Sequence, residues 1–251
     1  MRRLLVLGLL LAGCSAKHSG RKVRIAAAAD TARAFEEVGK AFHKKTGITP
    51  EIQFGSSGLL AKQIEQGAPF FMFAAANKEY TDQVIAAGRC DAKSARSYAR
   101  GKIVVWTHNG TAAPVKLEDL ADPKFKKIAI ANPAHAPYGR AAQQALQKAG
   151  IWDAIQPKLV LGENVQATMQ YAQTGSVDAS IIALSLAVVS DGGAFLPIDE
   201  TLYDPLDQMM VVCGNGEEAD AAHQFEDFMA SPDGREIMTR YGFVLPDPHS
   251  K

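Results

Sequence analysis

Short apolar runs alternate with longer amphipathic segments along most of this chain. The first apolar run occupies residues 23–28, and residues 31–45 follow with Phe35, Val38 and Phe42 at helical spacing. A short apolar run is typical of a buried strand, and apolar residues three or four positions apart are typical of an amphipathic helix. The pattern therefore predicts a strand followed by a helix at the start of the globular region.

The same alternation continues towards the end of the chain. Further strands are predicted at residues 51–54, 70–74, 103–107, 127–131, 159–161, 177–182 and 208–213. Further helices are predicted at residues 79–87, 138–149, 165–173, 219–229 and 234–241, and another begins at Ser57. Strands that alternate with helices indicate an α/β fold with mostly parallel sheets and flanking helices. Ligands of such sheets bind beyond the carboxyl ends of the strands, so we expect functional residues in the strand-to-helix turns.

Four strand-to-helix turns, at residues 28–31, 55–58, 132–139 and 162–165, are rich in small or turn-forming residues. The first turn of a helix has unpaired backbone N–H groups and the positive end of the helix dipole, which together attract anions. Serine, aspartate and asparagine are also good helix caps, so a single turn of this kind indicates capping rather than a ligand. Four such turns on one chain are more than capping requires, and they predict an anion site.

Composition and charge exclude several classes of protein. The 251 residues include 27 Lys and Arg, 27 Asp and Glu, and 47% hydrophobic residues. This balance excludes wholesale disorder and argues against a dedicated nucleic-acid-binding protein, whose affinity depends on excess positive charge. The cysteines, at positions 14, 90 and 213, are too few for a disulfide framework or a cysteine-rich zinc site. Cys90 and Cys213 can form a disulfide in an oxidising compartment or remain two free thiols.

The N-terminus has the pattern of a secretory signal. Met-Arg-Arg precedes an apolar run at residues 4–12, which is too short for a transmembrane helix of about 20 residues. The run ends in Leu-Ala-Gly-Cys, which resembles the bacterial lipobox, whose cysteine becomes the lipidated first residue. We expect a lipoprotein signal peptide at residues 1–13, lipidation at Cys14 and a polar tether at residues 14–21; an ordinary signal peptide with a chance cysteine is the alternative. Loss of two arginines with the signal leaves 25 basic and 27 acidic residues.

Several longer stretches carry a resemblance to a known family. They are AAAADTARAF, TGITPEIQFGSSGLLAKQIEQGAPF, ANPAHAPYGRAAQQAL, LGENVQATMQYAQTGSVDASIIALSLA and RYGF. Together they span about residues 23 to 243, and they resemble the periplasmic molybdate-binding proteins of molybdate ABC importers. The resemblance implies a two-lobed periplasmic-binding fold of type II with a ligand cleft between the lobes. Residues 22–100 and 206–251 would form lobe I, and residues 101–205 would form lobe II.

The resemblance also implies which residues hold a tetrahedral oxyanion. Carried over position by position, they are Ala29 and Asp30 in the first turn, Ser57 in the second, Tyr138 in the third and the N–H of Val165 in the fourth. All of these except Asp30 are neutral donors. A dianion removed from water needs hydrogen bonds to its oxygens, and fixed dipoles supply them without a buried cation that would need a partner.

The sequence departs from the family pattern at two of the expected positions. Many relatives have serine in place of Asp30 and tyrosine in place of Ala183, and Tyr138 is a candidate to replace that tyrosine. A carboxylate that faces a dianion is repelled strongly at low dielectric constant. Two interpretations of Asp30 stay open: the side chain turns away to cap the helix, or it is protonated or meets a cationic part of a different ligand.

The resemblance implies an extracytoplasmic solute-binding lipoprotein that captures molybdate or tungstate and delivers it to an ABC permease in the cytoplasmic membrane. Such a protein is held by its lipid in the periplasm or at the outer face of the membrane, and it is a monomer without catalysis, cofactor, metal cation or nucleic acid. The alternatives are a binding protein that uses Asp30 for another small anionic or zwitterionic solute, and an extracytoplasmic enzyme on the same fold. His135 and Arg140 lie in or next to the third turn, and both are either exposed to solvent or turned towards the cleft.

Overall fold

The structure, a computed structural model, describes residues 20–247 of the chain. The predicted signal peptide, Cys14 and residues 14–19 of the predicted tether lie outside the described residues. Within residues 20–247, no helix is both long and apolar enough to cross a membrane.

The described part of the chain forms ten strands and nine α-helices. The strands are β1 (Lys22–Ala28), β2 (Thr49–Gly55), β3 (Met72–Ala75), β4 (Arg96–Gly101), β5 (Ile103–His108), β6 (Ile128–Ala131), β7 (Leu159–Gly162), β8 (Ala179–Ala183), β9 (Gly193–Pro197) and β10 (Leu206–Val212). The helices are α1 (Ala32–Thr46), α2 (Ser57–Glu65), α3 (Lys78–Ala86), α4 (Pro137–Lys148), α5 (Trp152–Ile155), α6 (Val165–Gln173), α7 (Leu184–Ala187), α8 (Glu217–Ala230) and α9 (Pro232–Arg240).

The strands form two five-stranded sheets. The first has the order β2-β1-β3-β10-β4, and the second has the order β7-β6-β8-β5-β9. In each sheet one strand, β10 or β5, is antiparallel to both of its neighbours, so the other four run in one direction. The chain crosses between the sheets twice, from β4 to β5 and from β9 to β10. This architecture confirms the predicted two-lobed α/β fold with mostly parallel sheets and flanking helices.

The apolar stripe on the first long helix packs into the core of the first sheet. Phe35, Val38 and Phe42 on α1 are fully buried. The ring of Phe42 meets that of Phe225 on α8 edge to face, with the two centroids 5.2 Å apart. Full burial of such a side chain contributes about 1.5–3 kcal/mol, so this cluster fixes α1 and α8 on the sheet. The turn that precedes α1 is thereby held in place.

The second sheet is covered by α4 and α6. Ile128 and Ile130 in β6 and Trp106 in β5 are buried, and Leu146 on α4 belongs to the same core. Strands covered on both faces have continuous apolar runs, and such runs are the strongest signal that the sequence offers for a strand. This explains why the apolar pattern predicts β5, β6 and β8.

The apolar pattern does not predict β4, β9, α5 or α7. The first two are edge strands with exposed side chains, such as Arg96 in β4 and Phe195 in β9, so they lack a continuous apolar run. The helices α5 and α7 have only four residues each. Because α7 follows β8 directly, its apolar residues cannot be distinguished from the end of the strand by periodicity alone.

Cys90 and Cys213 form a disulfide, so of the two alternatives the structure contains the bonded one. Cys90 follows α3, and Cys213 directly follows β10. The bond therefore links the segment that follows α3 to the end of β10, which is 123 positions away in the sequence.

Candidate functional site

The four strand-to-helix turns meet at one cavity between the two sheets. The cavity is small and leaves about 10 Å³ for the centre of a water-sized sphere. Its walls consist of residues from all four turns and one further alanine: Ala28, Ala29, Asp30, Gly55, Ser56, Ser57, Ala76, Ala136, Pro137, Tyr138, Asn164 and Val165. All five residues that the sequence predicts as ligand contacts belong to this set.

Strand register explains why the turns converge. Ala28 at the end of β1 is paired with Gly55 at the end of β2, in a parallel ladder. In the second sheet, Ala131 at the end of β6 is paired in the same way with Gly162 at the end of β7. Parallel strands that end side by side bring the helices that follow them to one edge of the sheet. Each sheet therefore supplies two of the four turns.

Ser57 has a free hydroxyl proton at this cavity. It is the first residue of α2 and is 1% exposed. Its Oγ accepts a hydrogen bond from the backbone N–H of Ala76, with N and O 3.0 Å apart. A hydroxyl can accept and donate at once, so this bond orients the oxygen and leaves the proton available to a ligand. No acceptor in the described residues takes the backbone N–H of Ser57 either.

The second sheet contributes backbone donors. Asn164 caps α6, and its side chain accepts from the N–H groups of Gln166 and Ala167 but not from that of Val165. In α4, Pro137 occupies the first position, and Tyr138 follows it. Within residues 20–247, the N–H groups of Val165 and Tyr138 have no acceptor. Both are therefore free for an anion oxygen, as is usual for the first turn of a helix.

The side chain of Tyr138 is not free in the same way. Its hydroxyl donates to Oδ2 of Asp30 across 3.0 Å, and the amide nitrogen of Gln208 lies 3.1 Å from the same hydroxyl. Tyr138 therefore offers its N–H rather than its hydroxyl proton to a ligand. Ala183, where many relatives have tyrosine, ends β8 and is not part of the cavity wall.

Asp30 is buried, and its carboxyl does not cap a helix. Besides Tyr138, Oδ2 accepts from the amide of Gln208 at 2.5 Å, while Oδ1 has no partner among the described residues. Burial raises the pKa of Asp30 from 3.8 to about 7, even though these two hydrogen bonds favour the ionised form. The interpretation that the Asp30 side chain caps the helix is therefore wrong, because its carboxyl accepts hydrogen bonds from Tyr138 and Gln208 instead.

Contacts across the cleft involve residues whose partners the sequence did not indicate. The carbonyl oxygen of His135 accepts from the Ser56 hydroxyl at 2.6 Å and from the Gly58 N–H at 3.0 Å. Arg140 pairs with Glu79 at 2.6 Å. His135 and Arg140 thus face the opposite lobe, and no periodicity or motif in one turn identifies its partner in another.

The contact between Ser56 and His135 does not have the arrangement of a nucleophile and its base. Ser56 Oγ lies 2.8 Å from His135 Nδ1, but its shorter bond runs to the His135 carbonyl oxygen. If the hydroxyl proton is donated to the carbonyl, Nδ1 can only donate to Oγ, so it cannot take a proton from it. In residues 20–247 no group of three or more His, Cys, Asp or Glu side chains is arranged to hold a metal ion.

Comparison with known proteins places the chain in a family. Residues 23–244 match the family model of bacterial extracellular solute-binding proteins. The molybdate-binding protein ModA of Rhodobacter capsulatus is 34% identical over 94% of this chain and 93% of its own length. A Bacillus subtilis protein named as a substrate-binding lipoprotein of an ABC transporter is 30% identical over 94% of each chain.

A solved structure shows the same fold. The periplasmic molybdate-binding protein of Azotobacter vinelandii superimposes with a TM-score of 0.83 and 29% identity, over 90% of this chain and 100% of that one. The match covers both sheets and hence the cavity between them. The chain belongs to the bacterial extracellular solute-binding proteins, and within them to the family of the molybdate-binding ModA proteins.

Proposed function

We propose that this protein captures molybdate, and tungstate by the same contacts, in the cavity between the sheets. The observation that carries the proposal is the convergence of free donors: the N–H groups of Ser57, Tyr138 and Val165, and the Ser57 hydroxyl. They line one small cavity that contains no lysine or arginine. Neutral donors of this kind can surround a tetrahedral dianion, and the relatives named for molybdate binding support this choice of anion.

The proposed mechanism is closure of two lobes around the anion. We take residues 22–100 with 206–251 as lobe I and residues 101–205 as lobe II. Contacts between His135 and the turn at Ser56, and between Arg140 and Glu79, join the two lobes in the closed form. Because each lobe supplies only part of the donor set, an open form would bind the anion more weakly than the closed form.

Selectivity among oxyanions follows from the size of the cavity. Sulfate and molybdate both offer four oxygens and two negative charges, so the donors alone cannot distinguish them. The donors belong to helix starts whose helices pack into the hydrophobic cores, and they cannot approach a smaller anion without movement of whole elements. A smaller anion would therefore leave some of the N–H groups without a partner, at a cost in free energy.

We propose further that the protein is a lipid-anchored binding protein and not an enzyme. The lipobox-like Leu-Ala-Gly-Cys at the N-terminus and the Bacillus subtilis lipoprotein relative support lipidation at Cys14. The anchor would keep the monomer at the outer face of the cytoplasmic membrane or in the periplasm, close to the permease that receives the anion. In this proposal the residues that line the cavity hold the anion by hydrogen bonds alone, and no covalent bond to the anion forms.

A titration tests the proposed ligand. Thermal unfolding of the mature domain is followed with molybdate, tungstate, sulfate or phosphate at equal concentrations. A ligand that binds only the native state raises its stability by RT ln(1 + [L]/Kd), so molybdate and tungstate should raise the melting temperature and the others should not. No response to molybdate or tungstate would overturn the proposal.

A matched pair of variants tests the site. Ser57→Ala removes a hydroxyl that points to the cavity, and Ser180→Ala removes a buried hydroxyl in β8 that is not part of the cavity wall. We expect the first variant to lose about tenfold or more in affinity, because hydrogen bonds to charged groups contribute about 1.5–3 kcal/mol. The second should bind like the wild type, and equal affinity of both variants would place the site elsewhere.

A further inference from the structure

Asp30 belongs to a buried polar cluster that connects the cavity to both lobes. Its carboxyl lies between Tyr138 on α4 and Gln208 on β10, and its backbone oxygen accepts from the hydroxyl of Ser185 on α7. Asp30 is 1% exposed and Gln208 is fully buried. Asp30 also lines the cavity together with Ser57. A change of charge at Asp30 therefore acts on the anion site and on the contact between the lobes at once.

The cluster lacks one hydrogen-bond donor. Two donors, from Tyr138 and Gln208, converge on Oδ2 of Asp30. In the described residues, Oδ1 of Asp30 and Oε1 of Gln208 are buried acceptors without a partner. A proton on the carboxyl would allow Asp30 to donate a hydrogen bond, for example to Oε1 of Gln208 after rotation of that amide. The two donors on Oδ2 favour the ionised carboxyl, but the buried, unpartnered Oδ1 leaves a position where a proton can be held.

No positive charge in the cluster stabilises an ionised Asp30. The titratable groups that face it or lie behind it are tyrosines, which burial keeps neutral: Tyr98 on β4, Tyr138 on α4 and Tyr203 before β10. The other elements near it contribute residues that do not titrate: Gly55 of β2, Val165 of α6, Ser185 of α7 and Gln208 of β10. Arg33 on the following helix is exposed and lies near Glu36.

Burial outweighs the hydrogen bonds from Tyr138 and Gln208 and favours the protonated carboxyl of Asp30. Burial raises the pKa of Asp30 to about 7 in the closed form. A dianion in the cavity that Asp30 lines repels the ionised carboxylate and raises this pKa further. In an open form with water around the carboxyl, the penalty of burial would be absent.

We propose that Asp30 is a proton-binding site coupled to anion capture, so that closure around the dianion transfers one proton from solvent to the Asp30 carboxylate. An O–H bond forms on the carboxyl, no bond to the anion is made or broken, and the dianion remains as the sole charge in the cavity. This inference rests on the proposed function, which supplies the anion.

The coupling has a definite sign. Binding that takes up a proton weakens as the pH rises. The affinity should fall by up to about tenfold per pH unit between the pKa of Asp30 in the open form and its pKa in the bound form, and it should level off above the latter. A site built only from N–H groups and a serine hydroxyl would show no such dependence at neutral pH.

The test is isothermal titration calorimetry with sodium molybdate at about pH 7, in buffers that differ in ionisation enthalpy. The slope of the observed enthalpy against the ionisation enthalpy of the buffer gives the number of protons taken up. We expect a slope near one for the wild type and near zero for Asp30→Asn, together with an affinity of the variant that does not change with pH. Asp207→Asn, which removes an exposed carboxylate next to Gln208, should keep the wild-type slope.

Each outcome has a separate meaning. Molybdate binding by the wild type with a slope of zero overturns the proton coupling and leaves the proposed function intact. A slope that persists in Asp30→Asn assigns the proton to another group and also overturns it. Absence of molybdate binding overturns the proposed function itself. If Asp30→Asn does not fold, infrared difference spectra of the wild type decide the matter, because a protonated carboxyl has a carbonyl stretch that a carboxylate lacks.

Discussion

The two sides of the cavity are built by the same strand-turn-helix pattern but differ in their chemistry. The side from the second sheet presents the N–H groups of Tyr138 and Val165, which carry no net charge and do not titrate. The side from the first sheet presents the Ser57 hydroxyl and N–H next to the buried carboxyl of Asp30. Backbone geometry therefore accounts for the capture of an anion, while a single side chain on one side makes that capture sensitive to protons.

The largest expected effect is on unfolding free energy, from loss of the disulfide in the first sheet's layer. The disulfide between Cys90 and Cys213 closes a long loop, and loss of such a bond costs about 2–5 kcal/mol of unfolding free energy. The double variant Cys90→Ser with Cys213→Ser should therefore unfold at lower urea concentration. Because neither cysteine lines the cavity, its affinity for molybdate under native conditions should equal that of the wild type. A large loss of affinity would show that the disulfide also positions the turns.

The charge of Asp30 should have the next largest effect. The raised pKa means that folding into the closed form favours the protonated carboxyl, so its penalty grows as the pH rises above about 4. Without the anion this penalty becomes constant above pH about 7, at about 4 kcal/mol, and a bound dianion extends its growth to higher pH. In the molybdate-saturated protein, Asp30→Asn should be more stable than the wild type at alkaline pH, and this advantage should shrink as the pH falls towards 4. Urea unfolding at several pH values measures it, with Asp207→Asn as the exposed control.

A donor on the second sheet's side of the cavity can be removed without a change of charge. Val165→Pro removes the N–H at the first position of α6, where proline is tolerated, and the extended backbone of Asn164 suits a following proline. We expect the affinity for molybdate to fall by about tenfold to a hundredfold, since a hydrogen bond to a charged group contributes about 1.5–3 kcal/mol.

The same substitution at an equivalent position provides the control for Val165→Pro. Lys78→Pro places proline at the first position of α3, which also follows an extended residue and does not itself line the cavity. Its affinity should match that of the wild type. Equal losses in both variants would attribute the effect to helix distortion rather than to a lost donor.

The smallest expected effect concerns the rim of the cleft. Arg140 and Glu79 pair across it but remain partly exposed, at 35% and 60% of their side chains. Such pairs contribute about 0.2–1 kcal/mol, so Arg140→Gln should weaken molybdate binding by no more than a few-fold and mainly speed up dissociation. Stopped-flow kinetics measure the rate, and the effect should diminish at high salt, since the pair is open to solvent.

The sequence predicts the framework of this molecule well where its elements are buried on both faces. Of the strands that end at the cavity, β1 and β6 are inner strands with continuous apolar runs, whereas β2 and β7 are edge strands with only short, partly exposed apolar segments. Because these strands alternate with the helices that follow them, all four turns could still be located from the sequence. The edge strands β4 and β9 could not be, because their exposed side chains interrupt the apolar runs.

The side-chain contacts within the site could not be predicted from the sequence, for a different reason. Gln208 lies far along the chain from Asp30, and no local pattern indicates that its amide meets that carboxyl. The bond between the Gly58 N–H and the His135 carbonyl likewise depends on how the two lobes face each other. Such contacts are set by the crossings between the sheets, which strand and helix periodicity does not determine.

The most direct test of the account is a crystal structure of the molybdate-soaked protein with diffraction data collected at the molybdenum absorption edge. The account predicts one strong anomalous peak between the N–H groups of Ser57, Tyr138 and Val165. A peak at any other position, or no peak in the cavity at a saturating concentration of molybdate, would contradict it.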